Sequence, residues 1–240
     1  MSSAPAINTE AGDVTWFCGL LQAGDSFYPT GSYAHSFGLE GLVHENVVRD
    51  RATLRQFIRG SALPTLRHVE LPLAAHAWRA LAPPDWPRVR ELCVLSSALK
   101  TAREARVAAE NIGRQRAELV ATLREHSLAR EYLLQAAAAQ WPFTPSVSAA
   151  LEGRILGAPL PAVLAGITYA TLAALISAAM KLLRLGQNAS QTLLTESLAA
   201  APALIAEAQA TAFEDIGWFN PWLDIAAARH ESADSRMFIS

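Results

Sequence analysis

GAPLPAVLAGITYATLAALISAAM, running from Gly157 to Met180, contains no charged residue and is long enough to span a bilayer as a helix. Its details point to a buried helix instead. Pro159 and Pro161 interrupt its start, alanine dominates its centre, and Lys181 and Arg184 flank one side only. No second span follows. A helix that is apolar on all faces is what the centre of a helical bundle requires, so the stretch predicts the core helix of an all-α fold.

The rest of the chain reads consistently with that centre. No run of alternating β-branched residues is bounded by turns, whereas helical patterns recur throughout. Val14–Ala23 predicts a short helix ended by Gly24-Asp25, and a second helix is expected from Tyr33 to about His44. Asp50 is placed to cap a third, with Leu54, Phe57, Ile58 and Leu63 as its buried face and Pro64 as a break or kink. Glu70–Ala82 continues in helical character to the Pro83-Pro84 turn, after which Asp85 caps a charged segment expected to be the longest helix, reaching about Glu125. Val89, Leu92, Cys93, Leu95, Leu99 and Ala102 form its apolar stripe. Leu128–Gln140 follows, then a firm break at Trp141-Pro142 and Pro145. Leu185-Gly186-Gln187 ends the apolar helix. Further helices are expected from about Asn188 to Ala201, stopping at Pro202, and on to about Ala212.

The expected architecture is one compact all-α domain of about eight to ten helices over residues 14–220. A flexible lead would precede it at residues 1–13 and a docking tail would follow at residues 221–240. Met1–Asp13 lacks the basic and apolar regions of a signal peptide. At 240 residues and 51% hydrophobic composition, the chain can bury a large core. Twenty basic residues against twenty-two acidic ones leave a net charge of -2, which gives no general attraction to nucleic acid or anionic membrane. Cys18 and Cys93 lack a CxxC spacing and read as buried free thiols in a reducing cytoplasm.

Catalytic patterns are missing. There is no phosphate-binding loop, no HExxH and no GxSxG elbow. His35, His44, His68 and His76 fall at irregular spacings that do not compose a metal site. Two segments exceed what a core needs. In Ser26–Glu40, Pro29 fixes φ, Gly31 allows a turn, Ser32 can cap, and Gly38 within a helix would cost about 1 kcal/mol against alanine. From Pro221 to Ser240, apolar periodicity fades, and arginine beside aromatic residues suits an interface.

These segments carry a family likeness. Leu20-Leu21-Gln22, then Pro29, Gly31, Ser32, Tyr33, Ser36, Gly38, Leu39 and Glu40, form an ordered signature. Arg103, Glu104, Arg106 and Gly113 follow, then Leu185-Gly186-Gln187, Asp224–Ala226, Arg229–Glu231 and Ser235–Ser240. In this order the motifs resemble those of the UreF family of urease accessory proteins. Ser190-Gln191 and Ala105 depart mildly from the family pattern.

The resemblance implies a non-catalytic, all-helical homodimer without a cofactor. It would bridge UreD (also called UreH) to the GTPase UreG and dock on apo-urease for GTP-dependent nickel insertion. On that basis Tyr33, Ser36, Gly38, Glu40, Arg229, His230, Glu231, Arg236 and Phe238 are the expected partner-binding residues. Arg236 would anchor the tail, and Tyr33 and Glu40 would sit on the UreG-facing surface. The other reading is a nickel-binding carrier with histidine ligands, which tight stoichiometric nickel binding by the isolated chain would favour.

Overall fold

The computed structural model describes residues 14–31, 35–230 and 237–238. The expectation of a flexible lead at residues 1–13 lies outside that set. No β-strand forms among the described residues, apart from an isolated bridge between Leu81 and Pro84. The fold is all-α, and a continuous apolar cluster draws residues from Leu39 to Ala226.

Helix α1 (Thr15–Gly24) packs on the apolar helix, and a short α2 (Leu39–His44) follows the turn. The second helix therefore starts later than the pattern predicts. Phe37 and Gly38 both have positive φ, 55° and 79°, and two consecutive left-handed residues cannot extend a right-handed helix. Gly38 precedes α2 instead of lying within it.

Asp50 caps α3 (Arg51–Phe57) through a reciprocal box with Thr53, as its position predicts. Pro64 does not break this helix. A π-helical turn at Ile58–Ala62 precedes α4 (Leu63–Thr65), a second at Leu66–Glu70 precedes α5 (Leu71–Ala80), and the rod stays helical throughout. A wider turn ahead of each of Pro64 and Pro72 makes room for a ring whose missing N–H and bulk would otherwise disrupt the i→i−4 ladder.

The segment expected to be one long helix is two, α6 (Trp86–Ala98), capped by Asp85, and α7 (Arg103–Arg124). The break lies at Leu99–Ala102, where the Arg106 guanidinium donates to the Lys100 carbonyl at 2.9 Å. Lys100 is not solvated there: its ammonium meets Glu70 at 2.9 Å.

α8 (Ser127–Ala139) leads to α9 (Pro145–Ile155), whose residues Ser146–Gly153 are all buried. α9 packs against α5 and α7. α10 (Leu160–Leu182) is long and apolar enough to cross a membrane by length and composition, but here it packs against α1, α2, α5, α9, α11 and α12. Gly186 separates it from α11 (Gln187–Leu198), and Pro202 lies in the first turn of α12 (Ala201–Ala210).

Of the two cysteines, Cys93 is buried and Cys18 is exposed, contrary to the expectation for Cys18. α1 turns Gly19 and Ala23 inward, which leaves Cys18 on its outer side. Burial pushes the Cys93 thiol up to about 12.

Candidate functional site

The chain resumes helical form after Trp218. Asn220 Oδ1 accepts from the Leu223 amide at 3.3 Å and opens α13 (Pro221–His230), which packs on α2 and α7. Thr101 donates to Asp224 at 2.7 Å, tying α13 to the turn ahead of α7.

Two glycines face α13, Gly38 of the signature and Gly41 just after it. A Cβ on Gly41 would stand 2.8 Å from the Ala226 carbonyl oxygen, and one on Gly38 would stand 2.7 Å from Leu223 Cδ1. The Ala226 oxygen is backbone and cannot rotate away, so the helices come this close only because Gly41 lacks a side chain; at Gly38 the Leu223 side chain can shift, and it is the positive φ that favours glycine. α2, which holds the end of the signature, and α13, far apart in sequence, pack together.

At this junction lies Glu40, which is 1% exposed. Its carboxylate accepts the Met237 amide at 2.7 Å and the Phe238 amide at 3.0 Å. The expectation of a surface carboxylate is thus corrected: α2 buries Glu40, and the chain's own C-terminal segment covers it. Ser36, also buried, accepts the Glu40 amide at 3.3 Å and so caps α2 in place of Gly38. Phe238 is buried, with the Lys181 ammonium 5.3 Å from its ring centroid. Tyr33, Glu231 and Arg236 lie outside the described residues, and for Arg229 and His230 only the helical backbone is described.

α13 and the segments flanking it and α2 expose large apolar side chains. Trp222 and Phe219 are 76% and 73% exposed, and Phe37, Ile225 and Met237 are exposed as well. Beside α13, a groove of about 770 Å³ runs between α1, the signature loop, α7 and α10, bordered by Gly38 and Leu223. The Glu70–Lys100 pair forms part of its wall. Burial works against a charged Glu70, but Lys100 and the hydroxyl of Ser146 outweigh it and hold the carboxyl below the usual range.

One polar cluster went unread in the sequence. Glu152 in α9 is fully buried; it accepts from the Tyr28 hydroxyl at 2.6 Å and from Arg116 Nε at 2.8 Å. Burial, reinforced by the adjacent carboxylate, raises the Tyr28 phenol well above its ordinary value. The cluster pins the start of the signature loop to α7 and α9. Polar residues at positions 146, 148 and 152 were the available signal, but they show no spacing that distinguishes buried from exposed.

Among the described residues, no three His, Cys, Asp or Glu side chains are grouped to hold a metal. Of the four histidines considered, His76 meets the Thr211 carbonyl at 2.9 Å from α5, His68 lies in the second π-helical turn and His44 ends α2. His35 precedes α2. Burial lowers its pKa from 6.5, partly offset by Glu104. A depressed folded pKa means that the unfolded chain binds more protons below pH 6.5, so His35 stabilises the fold above that pH and this contribution is lost as pH falls through the folded value. The unfolding midpoint should therefore drop between pH 7.5 and pH 5.5, and His35→Gln should flatten that slope. An unchanged slope would show that His35 is not the responsible group.

Comparison with known proteins gives a consistent result. Residues 48–198 match the family model for UreF. The chain is 30% identical over 226 residues to the urease accessory protein UreF of Paenarthrobacter aurescens strain TC1, covering 94% of this chain and 99% of that one. It is 30% identical over 223 residues to urease accessory protein UreF 1 of Brucella melitensis biotype 1, covering 92% and 91%. Against urease accessory protein UreF 2 of Brucella canis it is 30% identical over 223 residues, covering 92% and 90%.

Proposed function

The chain belongs to the UreF family of urease accessory proteins, and from that membership we propose that it is a non-catalytic, cytoplasmic scaffold bridging UreD to the GTPase UreG during GTP-dependent nickel insertion into apo-urease. Such a scaffold presents a surface rather than reacting groups. The observation that carries the reading is the junction where buried Glu40 accepts the Met237 and Phe238 amides, beside α13, which packs on α2 and exposes Trp222 and Ile225. Apolar, aromatic-rich area of this kind drives protein association.

Within that scaffold the candidate residues divide by position. Ser36, Gly38, Glu40 and Phe238 shape the junction from inside. Tyr33, Arg229, His230, Glu231 and Arg236 are proposed as the contacts with partners, and the unit as a homodimer. Arginine suits the anchor role because its planar fork can bind a carboxylate or paired carbonyls. The segment over residues 221–240 would then act as the docking tail of the domain over 14–220.

The test is co-expression with UreD and UreG, followed by size-exclusion chromatography with light scattering. A complex whose mass fits two copies of each protein is expected, and Arg236→Ala should lose stable association with UreD while retaining its helical content. If the wild-type chain elutes alone, indifferent to both proteins, the bridging role is wrong. If Arg236→Ala still co-purifies with UreD, the anchor assignment is wrong.

A further inference from the structure

We propose that Tyr28 is the anchor of the signature loop: a positioning residue whose phenol, held by Glu152 of α9, fixes where the loop presents its residues to a partner protein. The burial pattern singles it out. Asp25, Ser26, Phe27 and Pro29 are exposed, Phe27 by 93%, whereas Tyr28 in their midst is 7% exposed. One side chain of the loop is thus inserted into the domain while its neighbours stay in water. Tyrosine suits such an insertion, because its ring is apolar and its hydroxyl needs only an acceptor.

That acceptor comes from a helix far away in sequence. Glu152 divides its carboxylate between two donors: Oε1 takes the Tyr28 hydroxyl at 2.6 Å, and Oε2 takes Arg116 Nε at 2.8 Å. The guanidinium offsets the charge of the buried carboxylate and leaves the other oxygen for the loop. A hydroxyl donating to a carboxylate makes a shorter and stronger bond than a neutral pair does. Backbone bonds then carry the position of the phenol outward. The Tyr28 amide donates to the Asp25 carbonyl at 3.0 Å, and the Tyr28 carbonyl accepts the Thr30 amide at 2.8 Å. Pro29 between them has its φ fixed by the ring. Thr30 is buried, and Gly31 turns the chain with a φ of 78°. Pro29 and Gly31 are the first residues of the Pro29–Glu40 stretch, so the anchor holds the end at which that stretch begins.

The role of the anchor rests on the partner docking proposed above, and the experiment separates the two. Tyr28→Phe removes the hydroxyl alone and leaves the ring and the Glu152–Arg116 pair in place. Amide hydrogen exchange, followed by NMR on the full-length chain, reads residue 28 and Thr30 against the amides of α10 as an internal reference. Exchange at residues 28 and 30 should rise at least about tenfold, with α10 unchanged. Wild-type exchange in the loop would overturn the proposal. An equal rise in α10 would overturn it too, since the hydroxyl would then be holding the whole fold and not the loop.

Tyr28→Ala removes ring and hydroxyl together and tests presentation. Its association with UreD and UreG should weaken at least about tenfold while circular dichroism shows the helices retained, because a loop freed from its anchor must be ordered again on binding. Wild-type affinity in that variant would overturn the proposal, and if the variant does not fold, the exchange result on Tyr28→Phe still decides it. A wild-type chain that binds neither protein, with a loop that Tyr28→Phe releases, would remove the bridging role and leave the anchor standing.

Discussion

Glu152→Ala is expected to destabilise the chain by about 3–5 kcal/mol, because it removes one partner of a buried ion pair and leaves the other stranded. Arg116 is largely covered, and the Tyr28 hydroxyl loses the acceptor that held it at 2.6 Å. For a chain of this length, such a loss corresponds to a fall of roughly 6–20 °C in Tm. The effect should couple to its neighbours. With Arg116→Met as background, Glu152→Ala should cost much less, since no unpaired guanidinium remains. Equilibrium unfolding in urea on the four members of that cycle measures the coupling directly. A loss below about 1 kcal/mol for the single variant would mean that water reaches the cluster and that the pair behaves as a surface bridge.

That cluster also marks where sequence reading stops. Local chemistry was legible: Asp50 and Asp85 cap because their side chains answer amides a few residues away, and Gly186 and Pro202 end or begin helices through backbone preferences of their own. The uncharged stretch at 157–180 announced the central helix by its composition. Features settled by distant partners were not legible. Pro64 and Pro72 sit inside one rod because two π-helical turns absorb them, and nothing nearby in sequence signals that turn. The break at Leu99–Ala102 lies within a continuous apolar stripe and is fixed by where Lys100 finds Glu70 and where Arg106 finds a carbonyl.

The candidate site shows the same division. The signature and the C-terminal segment were each recognisable as more than core, but their union was not, because the donors to Glu40 lie almost the whole chain away. A glutamate beside His44 in a short helix reads as solvated when only its local neighbours are counted. Gly38 was read as lying within a helix, yet it precedes α2, and the side chain packed against it, Leu223, belongs to a helix that sequence periodicity could not place. Burial of a charged group is a property of the assembled fold, and α9, buried on every face while carrying Ser146, Ser148 and Glu152, is its clearest instance.

Gly113→Ala is expected to destabilise the fold by about 2–3 kcal/mol, even though alanine is the better helix former by about 1 kcal/mol. Gly113 lies in the middle of α7, where propensity alone would favour the substitution. The added methyl would stand 2.5 Å from the Thr144 nitrogen and 2.6 Å from its carbonyl carbon. Both are backbone atoms, so no side chain can rotate away, and the start of α9 must move off α7. That movement also strains the Ser148 hydroxyl bond to the Gly113 carbonyl, now 2.8 Å. Gly166 provides the control: it lies within α10, nothing stands within 4 Å of its added Cβ, and Gly166→Ala should be neutral or stabilising by up to about 1 kcal/mol. Urea unfolding of the two variants beside the wild type measures the difference in sign. If Gly113→Ala matched or exceeded wild-type stability, α7 and α9 would have room to separate, and the close helix contact that positions the Glu152 cluster beneath the signature loop would not be a constraint on the fold.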